Sequence, residues 1–86
     1  MFLHLGEGEM IPIKDIVLIG DLESSSTSEI TREFLNTAEE EGFIIDYSMG
    51  NPRSFVLTGE IIYLSMISST TLSKRIEQFP ENSEGA

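Results

Sequence analysis

Two basic residues stand side by side in the segment SSTTLSKR, residues 68–75. Lys74 and Arg75 are the only adjacent pair among five basic residues, in a chain that also carries 15 acidic residues. Adjacent cations can bind a phosphate, or a carboxylate from the same chain or a neighbouring subunit. The first two acids that follow along the chain are Glu77 and Glu81. The pair is therefore a candidate anion contact, for which a carboxylate is the first expectation and nucleic acid the second.

A third basic residue, Arg53, stands in the segment GNPRS, whose Gly, Asn and Pro all favour turn backbone angles. The sequence places Arg53 at the tip of a hairpin, where a guanidinium can reach a phosphate, a carboxylate or water. Arg53, Lys74 and Arg75 are therefore the three residues that we expect to contact DNA or another anion.

The overall charge argues against duplex DNA as an autonomous partner. The formal net charge is −10, whereas DNA-binding domains gain much of their affinity by neutralising phosphates with Lys and Arg. A local basic patch on a symmetric assembly remains compatible with this charge. The run Glu39-Glu40-Glu41 adds to the acidic surface. It is either a patch for a basic partner or neighbouring subunit, or a solubilising run.

Residue types that could support catalysis, metal binding or nucleotide binding do not form a motif. His4 is the only histidine and stands in a short N-terminal strand, so we interpret it as an ordinary strand residue rather than a catalytic base. GDLESSS lacks the spacing of a calcium loop, and GEGEMI lacks the Lys-Ser/Thr ending of a phosphate loop. The sequence therefore predicts no enzyme activity, no cofactor and no metal site.

A length of 86 residues fits one small domain. We expect it to span residues 1–80, followed by a flexible acidic tail at residues 81–86. A domain of this size buries only about 60–65% of its unfolded surface, and the chain has no cysteine for disulfides. Self-association is the expected extra source of buried apolar area. Since neither a signal peptide nor an apolar run of ~20 residues is found, a cytoplasmic location is expected.

Apolar spacing predicts an α+β fold with a small, mostly antiparallel sheet and two helices. Strands are predicted in these segments: FLHL, MIPI, IVLI, FIIDYS, SFVLT and EIIYLSMI. IVLI, residues 16–19, is continuous and largely β-branched, which is typical of a strand buried on both faces.

The two helices carry recognisable start and stop signals. Ser26 and Glu29 have the spacing of a capping box at the start of the first helix, and Gly42 is placed to end it. One apolar stripe of this helix is expected to face the core: Ile30, Phe34 and Ala38. The second helix is predicted in SSTTLSKRIEQF, which puts the basic pair about one turn from its start.

Two segments of the chain resemble each other, KDIVLIGDLESSSTSEITREF and GEIIYLSMISSTTLSKRIEQF. Asp15 aligns with Glu60, and Phe34 aligns with Phe79 at the same offset. This indicates a pseudo-repeat of a β-β-β-α unit, although any strand followed by a Ser-rich cap and an amphipathic helix would align comparably. The basic pair occurs only in the second copy, so we interpret it as an added contact.

The segments FLHLGEGEMIPIKDIVLIGDLE and GNPRSFVLTGEIIYLSMISSTTLSKR resemble the bacterial extracellular matrix regulator family, most closely its B-type branch. SSTTLSKR is the most specific part of the resemblance. It implies a non-enzymatic cytosolic regulator that switches on biofilm matrix genes. It also implies a homo-oligomer, because the A-type members look like DNA-binding proteins that form closed rings with DNA on a basic rim.

The DNA contacts of the A-type members carry over less fully than the fold and the assembly. Their arginine-rich loop falls on residues 50–54, where only Arg53 is basic, and a second arginine falls near Asp15. Two hypotheses follow. The first is a homo-oligomeric matrix-gene regulator that acts through protein contacts or weakly through DNA. The second is an acidic protein–protein adaptor or structural oligomer without nucleic-acid binding, in which the basic pair forms an intersubunit salt bridge.

Overall fold

A computed structural model describes residues 1–24 and 28–77, which form two sheets and two helices. The strands are β1 Phe2–Gly6, β2 Glu9–Pro12, β3 Ile16–Asp21, β4 Ile44–Tyr47, β5 Ser54–Thr58 and β6 Ile62–Ser65. The helices are α1 Glu29–Glu40 and α2 Ser69–Glu77, and a 3-10 turn spans Ile13–Asp15. The α+β class is confirmed, and the order β-β-β-α occurs twice along the chain.

The strands form an antiparallel two-stranded ribbon, β1–β2, and a four-stranded sheet in the order β3-β5-β6-β4. Within the larger sheet only the β4–β6 pair is parallel, so the prediction of a mostly antiparallel sheet is confirmed. The two halves of the chain pair their strands differently, because β1 pairs with β2 whereas β4 pairs with β6. The repetition therefore lies in the order of the elements and not in their pairing.

The four-stranded sheet is the middle layer of the fold. Because successive side chains of a strand point to opposite faces, neighbouring residues of β5 enter different clusters. One face packs on the ribbon and α2 through Leu3, Leu5, Ile11, Val56 and Leu72. The other face packs on α1 through Ala38, Phe55 and Ile62. Each fully buried Leu or Val contributes roughly 1.5–3 kcal/mol, so the ribbon side holds the larger share of the core.

Strand β3 lies at an edge of the sheet, so the prediction that IVLI is buried on both faces was wrong. Val17 is 64% exposed, and Leu18 is also exposed. The register against β5 shifts between Ile16 and Leu18, which turns Val17 out of the ladder. β-branched residues suit any pleated position, so their run did not distinguish an edge strand from a central one. The central strands are β5 and β6.

Gly20 allows β3 to lie close to the ring of Phe55 in β5. A Cβ atom at Gly20 would lie 2.1 Å from two ring carbons of Phe55. The glycine therefore permits the aromatic ring to cross β3 and reach the cluster under α1.

Helix α1 begins two residues later than the proposed capping box. Its N-cap is Ser28, whose hydroxyl accepts a hydrogen bond from the Thr31 amide at 3.1 Å, and Glu29 is its first residue. Ser26 lies outside the described residues. Several serines stand in this segment, so composition alone did not select the cap. The stop signal is confirmed, since Gly42 follows the helix with a φ of +83°.

The apolar stripe of α1 is only partly turned toward the core. Ala38 is buried, but Ile30 is 79% exposed and Phe34 is 48% exposed. The expectation that all three residues face the core was therefore wrong for Ile30 and Phe34. The helix covers only part of its side of the sheet.

Helix α2 is capped in the same way as α1, but its apolar side is more deeply buried. The Ser68 hydroxyl accepts from the Thr71 amide at 3.2 Å, and Leu72 is fully buried. Lys74 and Arg75 lie five and six residues after Ser69, the first residue of α2, and in the last turn of its described part, Ser69–Glu77. The predicted helix end at Phe79 and the acidic tail lie outside the described residues. Neither described helix is long and apolar enough to cross a bilayer.

Candidate functional site

Arg53 is held by its backbone at one end of the four-stranded sheet. Its amide donates to the Ser65 carbonyl at 2.8 Å, and its carbonyl accepts from the Leu22 amide at 3.0 Å. The segment before it connects β4 to β5, which are separated in the sheet by β6. The prediction that Arg53 stands at a hairpin tip was therefore wrong: it lies where a connection between non-adjacent strands joins the sheet.

The side chain of Arg53 is neutralised within the chain. Its Nε donates to Oε2 of Glu23 at 2.9 Å, and the two side chains are 49% and 43% exposed. Exposed ion pairs of this kind contribute about 0.2–1 kcal/mol. A phosphate at Arg53 would have to displace or accommodate the Glu23 carboxylate, at a modest cost.

The turn that leads to Arg53 is organised by an acid. The amide of Ser48 donates to Oδ1 of Asp46 at 2.7 Å, and the Ser48 hydroxyl donates to the same oxygen. The hydroxyl hydrogen bond lowers the pKa of the Asp46 carboxyl below its usual value, despite an opposing effect of burial. Asp46 is therefore ionised at neutral pH, and the strand-end region of Arg53 carries two carboxylates, those of Asp46 and Glu23.

Two buried serines fix the entry into α2. The Ser54 hydroxyl donates to the Ile67 carbonyl at 2.6 Å, and the Ser65 hydroxyl donates to the Leu5 carbonyl at 2.7 Å. The Ser65 hydroxyl also accepts from the Ile67 amide at 3.0 Å. Buried hydroxyls need such partners, because an unpaired one costs about 1–3 kcal/mol. Together these bonds tie β1, β5 and β6 to the segment that starts α2.

Lys74 and Arg75 diverge although they are adjacent in sequence. Arg75 donates from Nη1 to the His4 carbonyl of β1 at 3.2 Å. Successive residues of a helix are turned about 100° apart, so Lys74 points elsewhere and is exposed. Within residues 1–24 and 28–77, neither cation forms an ion pair with Glu77 or another acid. Glu81 lies outside these residues, and the intrachain partner expected for the pair is not Glu77.

The structure does not gather the three predicted contact residues into one cluster. Arg53 contacts Glu23 at the sheet end, whereas Arg75 contacts β1, and no hydrogen bond joins Arg53 to the pair in the described part of the chain. His4 lies on β1 with its side chain exposed. Among the described residues, no three His, Cys, Asp or Glu side chains converge to hold a metal ion.

Residues 2–76, which include all three cations, match the protein family described as extracellular matrix regulatory protein A-like. The chain belongs to this family. It is also similar to extracellular matrix regulatory protein B of Bacillus subtilis (strain 168), with 36% identity over 77 residues that cover 90% of this chain and 91% of that protein. The family resemblance noted in the sequence is thus confirmed, and the family is named for a regulatory role.

Two exposed apolar surfaces of this family member were missed by sequence reasoning. The first, which we call the α1 groove, is an open depression of about 760 Å³ between the end of α1 and the β5–β6 turn. Its apolar lining includes Phe34, Ala38, Phe43, Leu57 and Ile61, and its acidic lining is Glu41 and Glu60. The apolar stripe of α1 indicated this surface, because Phe34 and Ala38 line it, but the whole stripe was predicted to face the core.

The second surface, which we call the ribbon face, is the outer side of the β1–β2 ribbon. It consists of Phe2, His4, Met10 and Pro12, and Phe2 and Met10 are about half exposed. The signal in the sequence was the alternation of FLHL. Leu3 and Leu5 enter the core, which leaves Phe2 as an apolar residue on the side that faces solvent.

Proposed function

We propose that this chain is a non-enzymatic regulator of extracellular-matrix and biofilm gene expression that works in the cytoplasm as a homo-oligomer. The observation that carries the proposal is the family match across residues 2–76. The regulatory name of the relative, which is 36% identical over nearly its whole length, supports the same role.

The homo-oligomeric part of the proposal is supported by the exposed apolar side chains. Phe34 and Phe43 stand half exposed on one side of the sheet, and Phe2 and Met10 on the other. Contiguous apolar patches that monomers leave exposed are commonly interaction sites. A small domain also gains stability when such patches are covered.

Within this proposal, Arg53, Lys74 and Arg75 are the residues assigned to contact with DNA. One chain offers them at separate places, and the net charge of −10 opposes association with phosphates. An assembly would repeat each cation at regular intervals, so that several copies contact one duplex. Weak, strongly salt-dependent binding is therefore expected.

The gene-regulatory role is tested in the host by deletion and complementation. Deletion of the gene should lower matrix-gene transcripts, and the wild-type gene should restore them. Unchanged transcripts in the deletion strain would contradict the proposal.

The DNA contact is tested with Arg53→Ala, Lys74→Ala and Arg75→Ala combined, with Arg32→Ala as a matched control on the exposed side of α1. A mobility shift at low salt should be lost in the combined variant and kept in the control. Absence of any shift with the wild-type protein at low salt would remove DNA from the proposal.

A second candidate, an acidic adaptor without nucleic-acid binding, is favoured by the Arg53–Glu23 ion pair. In that pair, one of the five basic residues is bound by an acid of the same chain. This candidate predicts that Arg53→Ala alone fully restores transcripts in the deletion strain, whereas a regulator that contacts DNA through Arg53 requires this cation.

A further inference from the structure

We propose that Glu23 competes with DNA phosphates for Arg53, so that the chain binds this cation with its own carboxylate until a phosphate replaces it. The inference rests on the contact between Arg53 and DNA in the proposed function, and it identifies a residue that limits that contact. The observation that carries it is the ion pair of 2.9 Å between Oε2 of Glu23 and Nε of Arg53.

The backbone on both sides of this ion pair is fixed by the sheet. Asp21 pairs with Ser54 at the end of the β3–β5 ladder. Beyond that pair, the Leu22 amide donates to the Arg53 carbonyl at 3.0 Å. Glu23 therefore comes directly after a residue that is hydrogen-bonded to Arg53, and this register brings its carboxylate to the guanidinium although the two residues are 30 positions apart.

The turn that presents Glu23 is closed by Asp21. Its Oδ1 accepts from the Glu23 amide at 3.0 Å, and its Oδ2 accepts from the Ser24 amide at 3.1 Å. Asp side chains that accept from amides two residues further on favour turns. Exposed ion pairs are weak partly because two long side chains must be ordered to form them. Here the backbone of both partners is already ordered, so only the side chains remain to be ordered.

The carboxylate of Glu23 opposes a phosphate at Arg53 in two ways. It accepts from Nε, which carries one of the five N–H donors of a guanidinium. A phosphate that needs this donor must displace the carboxylate. A phosphate on another edge of the guanidinium would lie near the carboxylate, and like charges repel each other. Glu23 therefore lowers the affinity of Arg53 for phosphate whether or not it is displaced.

The other two cations assigned to DNA contact do not have such a competitor. Arg75 donates to a neutral group, the backbone carbonyl of His4, at 3.2 Å. Lys74 is exposed, and in the part of the chain that the structure describes neither cation forms an ion pair. Removal of the Glu23 charge should therefore change the contribution of Arg53 and leave that of the basic pair unaltered.

The experiment measures binding of the full chain to a fluorescein-labelled duplex of mixed sequence, by fluorescence anisotropy from low to physiological KCl. Glu23→Gln keeps the size of the side chain and removes its charge. It should tighten binding about 1.4- to 5-fold for each chain that contacts the duplex, which corresponds to the ~0.2–1 kcal/mol of an exposed ion pair. Each Arg53 that gains a phosphate should also steepen the slope of log K against log salt by about 0.9.

Glu33→Gln is the matched control, because it removes the same charge from an exposed position of α1. Its effect measures what the change in net charge does by itself. In an Arg53→Ala background, Glu23→Gln should tighten binding no more than this control does. In a background with Lys74→Ala and Arg75→Ala, its additional effect should remain. Circular dichroism establishes that each variant is folded.

Glu23→Ala separates competition from positioning. If Glu23 competes with phosphate, loss of its carboxylate through either substitution should tighten binding. If Glu23 instead orients the guanidinium toward a phosphate, Glu23→Ala should weaken binding, and that result would overturn the proposal.

The remaining outcomes distinguish the inference from the proposed function. Equal tightening by Glu23→Gln and Glu33→Gln overturns the inference and leaves the DNA contact in place. Additional tightening that persists without Arg53 also overturns it, because another cation would then be responsible. If neither the wild type nor Glu23→Gln binds the duplex at low salt, the inference and the DNA contact both fall, whereas binding by Glu23→Gln alone supports both. The transcript test decides the regulatory role separately.

Discussion

The two helices begin with the same local structure and end in different environments. In α1 the Ser28 hydroxyl accepts from the Thr31 amide at 3.1 Å, and in α2 the Ser68 hydroxyl accepts from the Thr71 amide at 3.2 Å. Yet α2 buries Leu72 completely, while the only residue that α1 buries is Ala38. A similar cap thus starts both helices, and the tertiary surroundings decide how much of each helix is covered.

The helices differ in burial because α2 packs against two elements, the ribbon and the sheet, and α1 packs against one. α2 packs beside the ribbon and on the same face of the sheet, so Leu72 contacts a core that both supply. α1 has only the sheet to pack against, and one flank of the helix remains open beside the α1 groove. The α2 side therefore supplies most of the folding stability, and the α1 side retains apolar surface for association.

The test of this difference with the largest expected effect compares Leu72→Ala with Ile30→Ala. Leu72 is fully buried, so its truncation should lower the free energy of unfolding by about 2–5 kcal/mol. Ile30 is 79% exposed, and its truncation should change that free energy by no more than about 0.5 kcal/mol. Urea unfolding of dilute, dissociated protein measures both values. Equal costs at the two positions would show that α1 is as well packed as α2.

The next test compares the two caps. Ser68→Ala should lower the free energy of unfolding by about 0.5–2 kcal/mol, because α2 is part of the larger core. Ser28→Ala should mainly open the first turn of α1, which appears as faster amide exchange at Thr31 with a smaller change in global stability. Ser68→Asp and Ser28→Asp keep a capping oxygen and serve as controls. The comparison fails if Ser28→Ala destabilises the whole domain as much as Ser68→Ala.

Features that depend on residues close together in the sequence could be predicted from it. The turn at Gly42 and the strands of FIIDYS and SFVLT follow from local backbone preference and apolar spacing. The position of a strand within the sheet was not predictable. IVLI became the edge strand β3, because the order β3-β5-β6-β4 depends on pairing between residues far apart in the chain.

The candidate contact residues show the same limit. Glu23, the partner of Arg53, is 30 residues away, and His4, whose carbonyl binds Arg75, is 71 residues away. A hairpin tip could be proposed from GNPRS, but the strand β6 that separates β4 from β5 could not. The basic residues could be recognised in the sequence, but their hydrogen-bond partners could be identified only from the fold.

The smallest predicted effect concerns the Arg53–Glu23 ion pair, and it bears on the DNA hypothesis. A double-mutant cycle with Arg53→Gln and Glu23→Gln should give a coupling free energy of about 0.2–1 kcal/mol, because both side chains are nearly half exposed. Added salt should reduce this coupling.

Glu23→Gln also frees the Arg53 guanidinium, so it should strengthen any mobility shift that the wild-type protein shows at low salt. Arg32→Gln removes an exposed positive charge on α1, so it shows how much a change in net charge alone changes the free energy of unfolding. A coupling free energy of zero would mean that Glu23 does not restrain Arg53 in solution. In that case the adaptor hypothesis would lose the observation that favours it, and Arg53 would stand available to a phosphate.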